Sequence, residues 1–571
     1  MHSYFKKEEA RLQSVRGKKM PNSITPIESV LLFAPFLLGC FFEFTAAVLT
    51  CVFSVLISVY AFRKKMIYVP LDWGAVAAFV MVLFYGLTAF WAVDRGMAIF
   101  GFVKFLPLLL YIILLAQTEK QAYTEALQVL PWSGGLMTIL SFALSFLPSL
   151  GTHFVVAQRM AGFFEYPNTF ALFLLLGLIV LGTAEKLHLR DLFLATVLLF
   201  GLFKTGSRTV FFLLLCCALC IGIFRKNKKL RIAVVILTGA AVVLSLAVAF
   251  LTDNMQTVGR YLTSSLSSST LLGRLLYYKD ALPIILHHPF GLGYKGYYYM
   301  HPSFQTGVYS VLYVHNDFLQ LLLDVGWLPA GLMGIAVSKA FLQRGASLRT
   351  RLLLFALVAH SMVDFDLQYL AISLILVTLL PNDRRMQVEL TKQRFIPAAV
   401  CTVLVGISLY FGTASFAAYL GNYEASLRIY KNYTDSYVAL LTAESDLERA
   451  NALALKITEN NQYVAAAYDT RALYAYAQGN FEKVISYKEK SISIAPYRLE
   501  AYTTYIDMLQ TGEKLYLQAG DKRSAAYCRS HLENVGSLLQ QTVDKTDPLA
   551  WKIKDKPYLE LPAEYAQKIH R

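Results

Sequence analysis

A base, an amide and a carboxylate stand close together in one apolar stretch, HNDFLQLLLDVGW, from His315 to Trp327. His315 carries an imidazole, the side chain that ordinarily titrates nearest neutrality. Asn316 sets an amide beside it. Asp324 places a carboxylate inside the apolar run, where such a group is either functional or paired with a neighbour on its helix. Read as one helix, Gly326 falls eleven residues after His315, about three turns on and nearly on the same face. A small residue there would let a neighbour or a lipid chain approach below the imidazole. His360 and Asp364 are also one helical turn apart, the spacing of a local ion pair or of a contact behind the first group. The plain alternative for the His-Asn pair is a polar anchor at a helix end.

Three arginines sit in sequence surroundings of the same kind. Arg159 lies in RMAGFFEYPNTF, Arg208 follows Ser207 in KTGSRTVFF, and Arg274 lies in LLGRLLYYKDALPIILHHPFGLGYKG. Any one of them could snorkel to lipid headgroups. Taken together they point to an anion site, because guanidinium holds phosphate through paired hydrogen bonds and stays charged. Apolar residues at 271, 272, 275, 276, 282, 285 and 286 predict an amphipathic helix on the bilayer surface, holding Arg274 at headgroup depth. GLGYKG has the letters of a dinucleotide loop but no preceding strand, so it is expected to be a turn. His287, His288 and His301 lack metal-site spacing, and no metal or cofactor is expected. Cys217 and Cys220 form C-x-x-C within an apolar run and read as packing residues.

The elements that must position these groups are membrane helices. The 571 residues are 56% hydrophobic and only 16% charged, against about 25% charged in soluble proteins. The net charge of +15 does not indicate nucleic acid, because Lys and Arg cluster in short loops between apolar runs. Spans are expected at 26–42, 45–62, 72–92, 97–116, 129–149, 167–184, 190–204, 209–224, 232–251, 314–338, 350–364, 367–381 and 396–416. Basic loops at 63–65, near 120, at 186–190, 225–231, 339–351 and 384–394 then fall on one side, with the basic N-terminus over 1–25. That side is cytoplasmic by the positive-inside rule, and the N-terminus is not expected to be cleaved. The other side carries few basic residues, and Arg95, Arg159, Lys204, Arg208, Arg260, Arg274, Lys279 and Lys295 there need a reason.

The chain thus reads as an all-α polytopic membrane domain over 26–416, with an outer loop at 252–313 and an extracytoplasmic helical tail over 417–571. In the tail, Ala472, Gly479, Phe481, Tyr487 and Pro496 are spaced as in a tetratricopeptide repeat. The preceding segment aligns at an offset of 34 residues, Ala450 with Val484. A plain helical-hairpin domain is the alternative.

HNDFLQLLLDVGWLPAG resembles the signature of the O-antigen ligase and Wzy-type polymerase superfamily, in which nine residues separate His-Asn from a Gly. RMAGFFEYPN, TGSRT and GR…ALPIILHHPFGLGYKG resemble its other recurrent segments, in order, across roughly 23–381; Pro329 departs from the small or Tyr residue of many ligases. The resemblance implies a GT-C-like helical fold working at the outer face of the bacterial cytoplasmic membrane. It implies a donor glycan on undecaprenyl pyrophosphate and metal-independent, inverting transfer to a hydroxyl. His315 would be the base and Asn316 would orient it or the acceptor. Arg208, Arg274 and Arg159 would bind the pyrophosphate, with Ser207, Asp324 and Gly326 in support. A glycan end, a lipid or wall anchor, and a protein hydroxyl compete as acceptor, and the tail could bind a protein partner. A flippase would call for inverted repeats and midplane charges, which are not seen. A noncatalytic scaffold would leave the His and Arg set unexplained.

Overall fold

The computed structural model describes residues 25–225, 227, 231, 232, 239, 243, 269–391 and 393–570. The expected N-terminal segment up to residue 24, nearly all of the span at 232–251, and Arg260 lie outside the described residues. Helices occupy the other expected spans, and the protein is an all-α polytopic membrane protein. Five helices are long and apolar enough to cross a bilayer: Glu43–Lys64, Trp73–Phe90, Arg95–Ala116, Ala122–Leu144 and Phe395–Tyr419. Shorter apolar helices include Pro167–Gly182, Arg208–Phe224, Trp327–Leu342 and Leu370–Leu379.

Glu43–Lys64 shows why these sequences make membrane helices. Ala46, Phe53, Ile57 and Ala61 form its buried face, while Val48, Val52, Val55, Val59 and Phe62 form an exposed stripe at helical spacing. A helix apolar all round has no face for water, so the exposed stripe belongs in lipid. Pro167–Gly182 and Leu370–Leu379 are the most buried of the apolar helices, the latter with every residue buried. Strands Met66–Pro70 and Arg385–Glu389 pair antiparallel, Met66 opposite Glu389, so two basic loops expected on one side do meet.

Two breaks in the expected spans matter for the site. The segment 314–338 is two helices, Asp317–Val325 and Trp327–Leu342, and His315 lies before the first of them. Gly326 therefore does not share a helical face with His315. Its backbone, at φ 83 and ψ −168, is open almost only to glycine. A Cβ there would lie 2.1 Å from the Pro289 carbonyl oxygen. The glycine lets residues 289–293 cross the helix break, where Trp327 N donates to Pro289 O at 2.9 Å and Gly293 N to Asp324 O at 3.0 Å. Gly326→Ala is expected to destabilise the chain by at least about 2 kcal/mol, read as a lower melting temperature of the solubilised protein. An unchanged melt would show that the crossing is loose. The second break is the end of the eleventh span at Ser361, short of Asp364.

The tail is a run of antiparallel helices. Ala465–Ala477 packs on Phe481–Ile494, and Leu499–Gln518 on Lys522–Lys545, around a core that includes Val484, Tyr502, Ile506, Leu509 and Leu532. It does not stand apart from the membrane helices. Lys295 and Tyr299 both hydrogen-bond Asp435, and Lys279 pairs with Asp547. Two of the basic residues expected on the outer side, Lys295 and Lys279, thus hold the tail.

Candidate functional site

The strap 310–314 delivers His315 in a left-handed conformation, φ 56, which costs a non-glycine side chain and needs support. Asn316 supplies it. Its Oδ1 caps the next helix, accepting from Phe318 N at 3.1 Å and Leu319 N at 3.0 Å, and its Nδ2 donates to Met362 O at 2.9 Å. The Tyr278 hydroxyl donates to the His315 carbonyl at 2.6 Å. Behind the strap, Val314 N donates to Gln320 Oε1, Gln320 Nε2 to Asp324 Oδ1 at 2.8 Å, and the Tyr85 hydroxyl to Asp324 Oδ2 at 2.9 Å. Asp324 is therefore paired, with Gln320 one turn away on its own helix and with a tyrosine from another.

The carboxylate that organises the site is Asp364. The expected pair with His360 is not formed, because the helix stops at Ser361 and the chain turns back. His360 Nδ1 instead lies 2.5 Å from Asp366 Oδ2, which frees Asp364 to face the strap. There His315 Nδ1 lies 3.1 Å from its Oδ1, and Arg274 Nη2 donates to its Oδ2 at 3.1 Å. The Tyr166 hydroxyl and Asn168 Nδ2 add bonds of 2.9 and 2.8 Å. Asp364 is fully buried. Burial alone would raise its affinity for a proton, but the His315 hydrogen bond and the Arg274 guanidinium outweigh this and hold the carboxyl well below the usual carboxylate range.

Arg159 joins the same network. It projects from a hairpin, Val155–Val156 paired with Arg159–Met160, whose turn residues Ala157 and Gln158 both have positive φ, as two-residue hairpins require. Its Nη2 donates to Asn168 Oδ1 at 2.6 Å and its Nε to Thr205 O at 2.5 Å. That second bond reaches the turn at 205–207, after which Arg208 opens its helix behind buried Ser207. Arg274 sits on the helix Ser269–His287, which spans the expected amphipathic segment, but its side chain is turned onto Asp364 and mostly buried. Among the described residues the Arg208 guanidinium makes no hydrogen bond or ion pair.

The structure thus gathers His315, Asn316, Arg274 and Arg159 about Asp364, and Arg159 also bonds the turn at 205–207 that precedes Arg208. Asp324 lies behind the strap, and Gly326 at the far end of the helix that Asn316 caps. Tyr166, Asn168, Tyr278 and Gln320 were not singled out in the sequence, although EYPN and the DFD of Asp364–Asp366 at a break between apolar runs are signals in hindsight. His301 is packed between Tyr297 and Tyr309, and burial pushes its pKa down to about 4.

Residues 193–334 match the family model described as O-antigen ligase. The matched stretch includes Ser207, Arg208, Arg274, His315, Asn316, Asp324 and Gly326, whereas Arg159 and Asp364 lie outside it. The matched stretch, about a quarter of the chain, supports the resemblance to the O-antigen ligase and Wzy-type superfamily. That family implies a membrane activity of the glycosyltransferase type, a glycan ligase or polymerase acting on a lipid-linked glycan. No curated protein and no solved structure matches the chain.

Proposed function

We propose that the protein transfers a glycan from undecaprenyl pyrophosphate to a hydroxyl acceptor at the outer face of the cytoplasmic membrane. The observation that carries this reading is the contact between His315 Nδ1 and Asp364 Oδ1. An ionised carboxylate accepts a hydrogen bond from Nδ1–H and keeps the proton on that nitrogen, which leaves the lone pair on Nε2. That nitrogen takes the proton of the acceptor hydroxyl as its oxygen attacks the anomeric carbon. The bond from that carbon to the pyrophosphate oxygen breaks, and the pyrophosphate leaves with the electron pair. Attack opposite the leaving group inverts the anomeric centre. Arg208, Arg274 and Arg159 neutralise the charge that develops on the pyrophosphate, so no metal is required. In this reading Asn316 positions His315 through the cap and the Met362 carbonyl, the N-terminus is cytoplasmic, and the tetratricopeptide-like tail is extracytoplasmic and free to meet a partner.

The test is reconstitution of the full chain in proteoliposomes with the host's lipid-linked glycan and its hydroxyl acceptor. The expected product carries a linkage of opposite anomeric configuration to the donor, and its formation persists in excess EDTA. No transfer by a folded protein, or retention of configuration, would overturn the proposal. Transfer that EDTA abolishes and a divalent metal restores would overturn its metal-free chemistry.

A further inference from the structure

Arg95 is an outer basic residue that the reaction site does not use. It lines a cavity of about 620 Å³ at the seam between the membrane helices and the tail. That size lies within the ~300–1,000 Å³ typical of small-ligand sites. The membrane side contributes Trp91 and Phe290, both well exposed, with the Trp91 indole N–H held by the Phe290 carbonyl at 3.3 Å. The tail side contributes Glu459, Asn460, Gln462 and Tyr463.

The two walls are fixed relative to each other. Asp94, fully buried, accepts from Thr434 Oγ1 at 3.0 Å and Asn461 Nδ2 at 2.9 Å, both in the tail, and from Met97 N at 2.8 Å in its own helix. The Tyr430 hydroxyl donates to Gly96 O at 2.9 Å. A Cβ on Gly96 would lie 2.0 Å from the Asn432 carbonyl oxygen, so the backbones there approach as closely as glycine allows. The cavity is therefore a built feature of the docked tail.

We propose that this seam cavity binds a saccharide segment of the substrate glycan, away from its reacting end, an inference that rests on the function proposed above. Its lining has the chemistry of a sugar: flat aromatic faces for the apolar face of a ring, with amide, carboxylate and guanidinium groups that donate to and accept from hydroxyls. Arg95 and Glu459 have opposite charges. A phosphate or an anionic lipid headgroup calls for positive charge alone, whereas a polyhydroxylated chain uses both donors and acceptors. The location also fits. The cavity wall at 289–292 is bonded to the far end of the helix Asp317–Val325, whose near end Asn316 caps, so a nine-residue helix of about 14 Å separates it from His315. A glycan of several sugars would cover that distance, and the tail would hold the chain while its end reacts.

The probe is the lipid-free repeat oligosaccharide released from the host's surface glycan by mild acid. It is titrated into the full chain in nanodiscs. The variants are the double exchange Arg95→Gln with Gln462→Ala, two exposed positions, and separately His315→Ala; folding of each is checked by its melt. Wild type and His315→Ala are expected to bind the probe alike and the double variant at least tenfold more weakly. In transfer assays the double variant raises KM for the glycan and leaves kcat within about twofold. Equal binding by the double variant, no binding by the wild type, or displacement of the probe by phosphatidylglycerol vesicles would overturn the proposal. If the double variant loses the probe while His315→Ala retains transfer, the cavity is a saccharide site and the proposed catalysis fails. If His315→Ala abolishes transfer and the cavity ignores the probe, only the cavity proposal fails.

Discussion

His315→Ala is expected to lower glycan transfer by about 10²- to 10⁴-fold, the range for losing a positioned general base, while the protein still reaches the membrane. Abundance is expected to hold because Asp364 keeps Arg274, Asn168 and Tyr166 when the imidazole goes. The backbone at φ 56 strains alanine as it strains histidine, so His315→Gly is the control that relieves strain without restoring a base. Both variants should be equally inactive, with the glycine form at least as stable. In a host lacking its native gene, the mature surface glycan should disappear or shorten and the undecaprenyl-linked precursor accumulate. Single repeats on that precursor point to a polymerase, and full-length unattached chains to a ligase. Normal glycan made by His315→Ala would reduce the His-Asn pair to a helix-end anchor, and the proposed mechanism would fall.

How much of this was legible beforehand depends on whether a residue's role is local. Apolar runs and basic loops foretold the helices, because bilayer thickness and the positive-inside bias act on contiguous sequence. The His-Asn pair and the arginines stand out because charged and basic groups are scarce on the side that the basic loops mark as outer. In sequence Gly326 reads as a small residue on one long helix, but the helix breaks there. Its special backbone follows from the crossing with Pro289, 37 residues earlier. The pairing of His360 with Asp364 assumed an unbroken helix, but the chain leaves the helix at Ser361 and carries Asp364 to a histidine 49 residues away. Tyr166 and Asn168 reach the same carboxylate from nearly 200 residues away. No periodicity records contacts of that range. The seam cavity was hidden for the same reason, since its two walls lie more than 150 residues apart in the chain.

Asp364→Asn is expected to be as damaging as loss of His315 itself, for two separable reasons. Every neighbour of this carboxylate is placed to donate: His315 Nδ1, Arg274 Nη2, Asn168 Nδ2 and the Tyr166 hydroxyl. An asparagine must turn its own N–H₂ toward some of these donors. Where it meets His315, the imidazole is driven to carry its proton on Nε2, and the base is lost without loss of the histidine. The same exchange in a Ser-His-Asp site costs about 10⁴ in kcat, and about 10³- to 10⁴-fold is expected here. The second reason is charge. Arg274 is left mostly buried without its counterion, and breaking such a pair costs about 3–5 kcal/mol, which should appear as a lower melt. His315→Ala with Asp364→Asn separates the two effects. The double variant should be no less active than His315→Ala alone, because both act on one proton, but as unstable as Asp364→Asn. The pH dependence runs the same way. The folded Asp364 carboxyl lies below its unfolded value near 4, so its contribution to stability is complete at neutral pH and is lost only as pH falls through the depressed folded value. Asp364→Asn should remove that acid-labile part of the melting curve. Retention of more than a tenth of wild-type activity by Asp364→Asn would show that Asp364 only fastens the loop and that His315 holds its tautomer by other means.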